Sequence, residues 1–193
     1  RPVHSPADHT ILINLLREEI CVKRNKMLFY RTWDFGNNFH VNPTFYLAAT
    51  DPVEPHPNLV FAVKHTKGDF FRKLPFNPTI TIGKHRQIVE VQCQREYEGK
   101  GAHPNYIARG VIEGFEELAA HKNPTCLRDI SGQPNFAGLW TWTRGGGWKG
   151  PHIKDEFWCA LNAYVLSQWA LNPERSEEEI FREFAERKLK LTG

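Results

Sequence analysis

The run Ile88-Val-Glu-Val-Gln-Cys-Gln-Arg-Glu-Tyr-Glu98 sets the tightest limit on the fold. Val89, Val91 and Cys93 fall on one side of an extended chain and Glu90, Gln92 and Gln94 on the other, the period of two that marks a strand. An edge strand of a two-layer sheet turns such a polar row to water. In a closed parallel barrel the row points inward, and the carboxylate beyond the strand stands at the barrel mouth, where barrels of this kind hold their chemistry. Glu96 is the first catalytic candidate on this ground. A solvated edge strand is the competing reading of the same residues.

Three further strands follow from the same reasoning. Met27 to Trp33 and Phe136 to Trp142 are rich in aromatic and apolar residues. Leu59-Val-Phe-Ala-Val63 is continuously apolar, as a strand buried on both faces should be. Between the strands lie helical patterns and long crossovers. Asp8 is placed to cap a first helix whose stripe is Ile11, Leu12, Leu15, Leu16 and Ile20. Helices are also expected over 43–50, about 105–121 and about 155–170, and Ser176 with Glu179 forms a capping box for a last one. Strands alternating with helices predict an α/β protein with a parallel sheet and right-handed βαβ units. Four strands make half of an eight-stranded barrel, whose usual length is roughly 250 residues. The 193 residues are therefore expected to form a single domain, a half or truncated (β/α)8 TIM-type barrel with C-terminal helices. An open half-barrel leaves edges and an apolar face to cover, so a homo-oligomer or a partner chain completing the barrel is expected.

Composition narrows the function classes. A net charge of +3 without a Lys/Arg block does not point to nucleic acid. No apolar run approaches the roughly 18 residues that would indicate a membrane span. The cysteines, Cys21, Cys93, Cys126 and Cys159, are widely spaced, and suggest neither a disulfide framework nor a zinc site; Cys93 and Cys159 read as small buried hydrophobes. A chain opening at Arg1 is expected to be a processed or truncated product, and its location stays open.

Charge gathers just after the strands: Arg31, Trp33 and Asp34; Lys64, His65 and Asp69; Glu96 and Glu98; Arg144 and Trp148. Carboxylates for acid/base chemistry, cations for an anionic group and indoles for stacking together suit a saccharide. Each has a plainer reading. Arg31 with Asp34 suits a structural ion pair, Lys67 with Asp69 a solvated one, and Trp140 and Trp142 suit the core. Gly145 to Gly147 lack the Gly-Lys-Ser/Thr of a phosphate loop, although a loop leading to a helix can still hold an anion.

Lys64-x4-Asp69, Val89-Glu-Val-Gln-x3-Glu-Tyr-x-Gly99 and a Gly-rich loop with Trp148-Lys-Gly150 occur in that order. With Ala163-Tyr164, Trp169-Ala-Leu-Asn-Pro173 and Glu178-Glu-Ile180, they resemble the later half of the α-glucuronidases that act on xylan side chains. The likeness covers residues 26–185. It implies a (β/α)8 barrel, inversion at the anomeric centre, and no metal or organic cofactor. It also implies that Asp69 and Glu96 activate water, that Arg31 (in Phe29-Tyr-Arg-Thr32) and Lys64 hold the uronate carboxylate, and that Trp148 lies by the sugar. The family's proton-donating glutamate has no match before Arg31, and Trp33-Asp-Phe-Gly36 and His65-Thr-Lys67 depart from its pattern. The expected partner is a uronic-acid-bearing oligo- or polysaccharide. Two other readings stand beside the hydrolase: a non-catalytic carbohydrate-binding or assembly protein without the general acid, and an aldolase-like barrel with a Schiff base at Lys64.

Overall fold

The structure, a computed structural model, describes residues 4–34, 36, 38–70, 74–93, 105–122, 124–142 and 157–191. Strands β1 (Leu28–Arg31), β2 (Leu59–Lys64), β3 (Arg86–Gln92) and β4 (Phe136–Trp142) form a four-stranded parallel sheet in the order β1-β2-β3-β4, flanked by helices. Each strand neighbours the next in the chain, as successive βα units require. β3 is an interior strand. Val89, Glu90, Val91 and Gln92 are all 2% exposed or less, so its polar row is buried and does not face water as an edge strand's would.

The chain divides into two compact units, Arg1–Gly68 with Asn77–Val89 and Gly132–Gly138, and Asp69–Phe76 with Glu90–Ser131 and Leu139–Gly193. In the first, β1 pairs with β2 through Leu28↔Leu59, Phe29↔Val60, Tyr30↔Phe61 and Arg31↔Ala62. This register puts Tyr30 and Phe61 on one face of the pair and Phe29, Arg31, Val60 and Ala62 on the other. The first face carries an aromatic core: Tyr30 meets Phe61 at 5.9 Å, and Phe61 meets Tyr46 of helix α2 (Pro43–Thr50) at 6.0 Å. Helix α1 (Pro6–Leu16) joins this core through His9, 4.3 Å from the Phe39 ring, and through Thr10, whose hydroxyl donates to the Ala49 carbonyl at 2.8 Å.

Two sequence expectations change here. Ser5 is the cap of α1: its hydroxyl oxygen accepts from the Asp8 N–H while Asp8 accepts from the Ser5 N–H, so Asp8 is the third residue of a capping box. The buried residue of α1 is Ile13, while Ile11 and Leu15 are 69% and 57% exposed. The helix is rotated away from its most apolar stripe because His9 and Thr10 find polar and aromatic partners inside. Beyond Leu16 the chain continues as a π-helical turn, Arg17–Val22.

In the second unit the expected helix over 105–121 is split. Helix α3 (Ala108–Glu113) stops at Gly114, whose φ of 105° leaves the helical region, and a short 3-10 turn follows at Glu116–Leu118. The reversal lays the Phe115 ring over Gly110, where a Cβ would overlap it. Helix α4 (Phe157–Leu171) buries Leu161, Val165, Leu166 and Trp169. From its interior, Asn162 Oδ1 accepts the N–H groups of Ile107 (2.9 Å) and Ala108 (3.1 Å) at the start of α3. Its Nδ2 donates to the carbonyls of Cys93 and Asn105, both at 2.9 Å. Helix α5 (Glu177–Leu189) carries the expected Ser176/Glu179 capping box, acids in its first turn and bases in its last. Arg128 grips Glu113 with two nitrogens and donates to the carbonyls of Pro173 and Arg175.

Candidate functional site at the ends of the first two strands

Arg31 ends β1 and Lys64 ends β2. Ala62 and Lys64 lie two residues apart on β2, so Lys64 shares the face of Ala62 and of its cross-strand partner Arg31. The Thr32 N–H donates to the Ala62 carbonyl at 3.0 Å. Two basic residues therefore stand on one face at the carboxyl ends of adjacent parallel strands, with the Trp33 indole against Arg31. That edge is where open and closed α/β sheets bind ligands.

The side chains stack in series. The Arg31 guanidinium carbon lies 5.5 Å from the centre of the Trp33 ring, within cation–π range. Trp33 in turn stacks on His40, with centroids 6.1 Å apart and planes at 29°. His40 is wholly buried. Its Nδ1 is 3.0 Å from Asp34 Oδ1 and its Nε2 3.2 Å from the Lys67 carbonyl.

Asp34 organises the loop. It accepts the N–H groups of Asn38 (3.2 Å), Phe39 (3.1 Å) and His40 (3.4 Å) as well as the His40 ring. Burial alone would raise its carboxyl, but the His40 ring and the backbone donors outweigh it and hold the group below the usual aspartate range. Asp34 is thus an ionised structural acceptor. Held ionised, it does not suit the role of a neutral proton donor, and its ring partner is His40 rather than Arg31.

Lys64 and His65 are each 4% exposed. Their backbone is held by Asn77, whose N–H donates to the His65 carbonyl at 2.8 Å and whose Nδ2 donates to the carbonyls of Lys64 (3.0 Å) and His40 (2.6 Å). Thr79 adds a hydroxyl bond to the His40 carbonyl at 2.8 Å. Gln87 anchors this segment from β3, its Nε2 donating to the Tyr46 hydroxyl (2.9 Å) and the Thr79 carbonyl (3.1 Å), its Oε1 accepting from Thr81 N–H (2.7 Å).

Arg31, Trp33, Lys64 and His65 of the expected site all belong to the first unit. Asp69 belongs to the second unit and is half-buried. Glu96, Arg144 and Trp148, with Glu98, lie outside the described residues. His40 was missed in the sequence, where Asp34-Phe-Gly-Asn-Asn38 reads only as a loop; an Asp heading a Gly/Asn segment that ends in His is the available signal. Among the described residues no His, Cys, Asp or Glu cluster could hold a metal ion, and no helix is long and apolar enough to cross a membrane.

Fold and site together define an α/β protein with a parallel sheet and a cationic, aromatic cluster at its strand ends. No family model matches the chain, and no curated protein matches it either.

Proposed function

We propose that the chain is a glycoside hydrolase module acting on uronic-acid-bearing polysaccharide of the glucuronoxylan type, built as a half or truncated (β/α)8 barrel. The observation that supports this reading is the register of Arg31 with Ala62, which puts Arg31 and Lys64 on one sheet face, with Trp33 against Arg31. A sugar carboxylate needs cations, and its ring needs an apolar plane; Arg suits the carboxylate because its fork matches both oxygens. The resemblance to the xylan-directed α-glucuronidases supplies the rest. Asp69 and Glu96 deprotonate the attacking water, Arg31 and Lys64 hold the uronate, and Trp148 packs on the ring, with Trp33, His65 and Arg144 lining the site. An inverting pair stands roughly 6.5–9.5 Å apart to admit the water. Closure of the barrel by a second copy or a partner chain belongs to the same proposal.

The restraint on Asp34 favours a second reading, a carbohydrate-binding or assembly protein that keeps the clamp without a general acid. Calorimetry with glucuronate and glucose tests the clamp that both readings share. Glucuronate is expected to bind more tightly, and Arg31→Ala to cost about 2–5 kcal/mol of that binding. Equal affinities for acid and neutral sugar would remove the clamp. Aryl uronosides of graded leaving-group pKa separate the two readings, because a good leaving group needs little protonation. Turnover of the best leaving groups, lost in Asp69→Asn and in Glu96→Gln, is expected of the hydrolase. Uronate binding with no turnover identifies the binding protein.

A further inference from the structure

We infer that Cys93 and Cys159 form a redox-active dithiol, a covalent modification site that closes to a disulfide and staples the carboxyl end of β3 to α4. Their sulfurs lie 3.5 Å apart, and the two residues are 66 positions apart in sequence. Both are buried, at 0% and 1% exposure, and both belong to the second unit. A disulfide bond is about 2.05 Å long, so the sulfurs need to close by about 1.5 Å.

The surrounding backbone is already tied at this joint. Cys93 directly follows Gln92, the last residue of β3, and its carbonyl accepts from Asn162 Nδ2 at 2.9 Å. Asn162 stands three residues after Cys159 on α4, so it and Cys159 lie on one side of that helix. Strand end and helix are thus held at a fixed spacing by a hydrogen bond beside the two thiols. Closing the disulfide replaces a contact with a bond along a joint that is already in register.

The chemistry requires a two-electron oxidant small enough to reach a buried pair, and hydrogen peroxide meets that need. One thiolate attacks a peroxide oxygen, the O–O bond breaks, and the departing hydroxide takes up a proton to become water. The resulting sulfenic acid is attacked by the second sulfur, which displaces the hydroxyl as a second water as the S–S bond forms. Two thiols and one peroxide give one disulfide and two waters. Cys21 and Cys126, which are also free and buried, serve as internal controls.

The test treats the folded full chain with hydrogen peroxide, quenches in acid, alkylates under denaturing conditions and maps the peptides by mass spectrometry. The expected result is loss of two alkylatable thiols, with Cys21 and Cys126 still alkylated. A Cys93–Cys159 cross-linked peptide, lighter than its two parts by two hydrogens, should revert with dithiothreitol. In Cys159→Ser the cross-link should vanish and a dimedone adduct of sulfenic acid should appear at Cys93. Four thiols still alkylated after prolonged treatment would overturn the inference. So would sulfinic or sulfonic acid at either residue without the cross-link, or a cross-link to Cys21 or Cys126. Phenylarsine oxide, which bridges two thiols only when they are adjacent, gives a second measurement on untreated wild type. Protection of Cys93 and Cys159 from alkylation supports the dithiol, and its absence opposes it.

Discussion

Asp34 shows how one carboxylate fixes a loop at a strand end. Replacing it with Asn removes the charge from the bonds to the His40 ring and to the N–H groups of Asn38, Phe39 and His40. The expected loss is about 1–3 kcal/mol of stability at pH 7, read from urea unfolding. The folded value lies below the unfolded one, so the contribution is complete above about pH 4 and is lost as pH falls through the folded value. The gap between wild type and Asp34→Asn should therefore narrow as pH falls below about 4; a gap unchanged with pH would refute the assignment. His85 acts at higher pH. Burial lowers it, although its Nε2 donates to the Thr50 carbonyl at 2.9 Å. The neutral ring stabilises the fold above about pH 6.5, and that contribution falls as pH drops from there toward the lowered folded value. In His85→Gln the decline of stability between pH 6.5 and 5 should be shallower.

At the scale of elements, Asn162 joins three pieces of chain with one amide. Asn162→Leu leaves the Ile107 and Ala108 N–H groups and two carbonyls buried without it, and should cost about 2–4 kcal/mol by chemical denaturation. Ser176→Ala, which removes the cap of α5, should cost about 1 kcal/mol. The contrast shows what the sequence makes legible. The Ser176/Glu179 box and the apolar run of β2 are local signals, readable because a cap or a strand is specified by residues a few positions apart. The four strands and their order follow from such signals joined by the rule of neighbouring βα units. Asn162 is a mid-helix Asn, locally a weak helix former, and its worth depends on carbonyls and amides about 55 to 69 positions away. The same is true of His40, whose ring nitrogens meet Asp34 and a carbonyl 27 positions on. The rotation of α1 away from Ile11 and Leu15 has the same origin, since Thr10 is drawn inward by a carbonyl on α2. The part of the site legible in advance was the strand ends, because parallel strands align their ends whatever packs around them.

For the molecule, the sheet order leaves β1 and β4 as outer strands among the described residues. Phe29 is 54% exposed on β1, and Met27 before it 47%. An outer strand with exposed apolar side chains favours pairing with another chain. On the proposed half-barrel, light scattering at micromolar concentration should report a dimer, and Phe29→Lys should shift it toward monomer. A monomer at all concentrations would remove self-association and leave closure to a different chain.

Phe115 occupies the space that a side chain at residue 110 would fill, so the effect of changing one position depends on the other. Gly110→Ala in the native background forces the ring aside and should cost about 1–3 kcal/mol, the usual scale of overpacking. Once Phe115 is Ala the space is empty, and the same substitution should be neutral or gain up to about 1 kcal/mol, because Ala favours the α3 helix over Gly. The sign of one mutation thus depends on whether the other has come first. Replacing Gly110 is therefore expected to cost less once a smaller residue stands at 115. A double-mutant cycle measures this directly, and additive effects at the two positions would show that the ring moves aside freely.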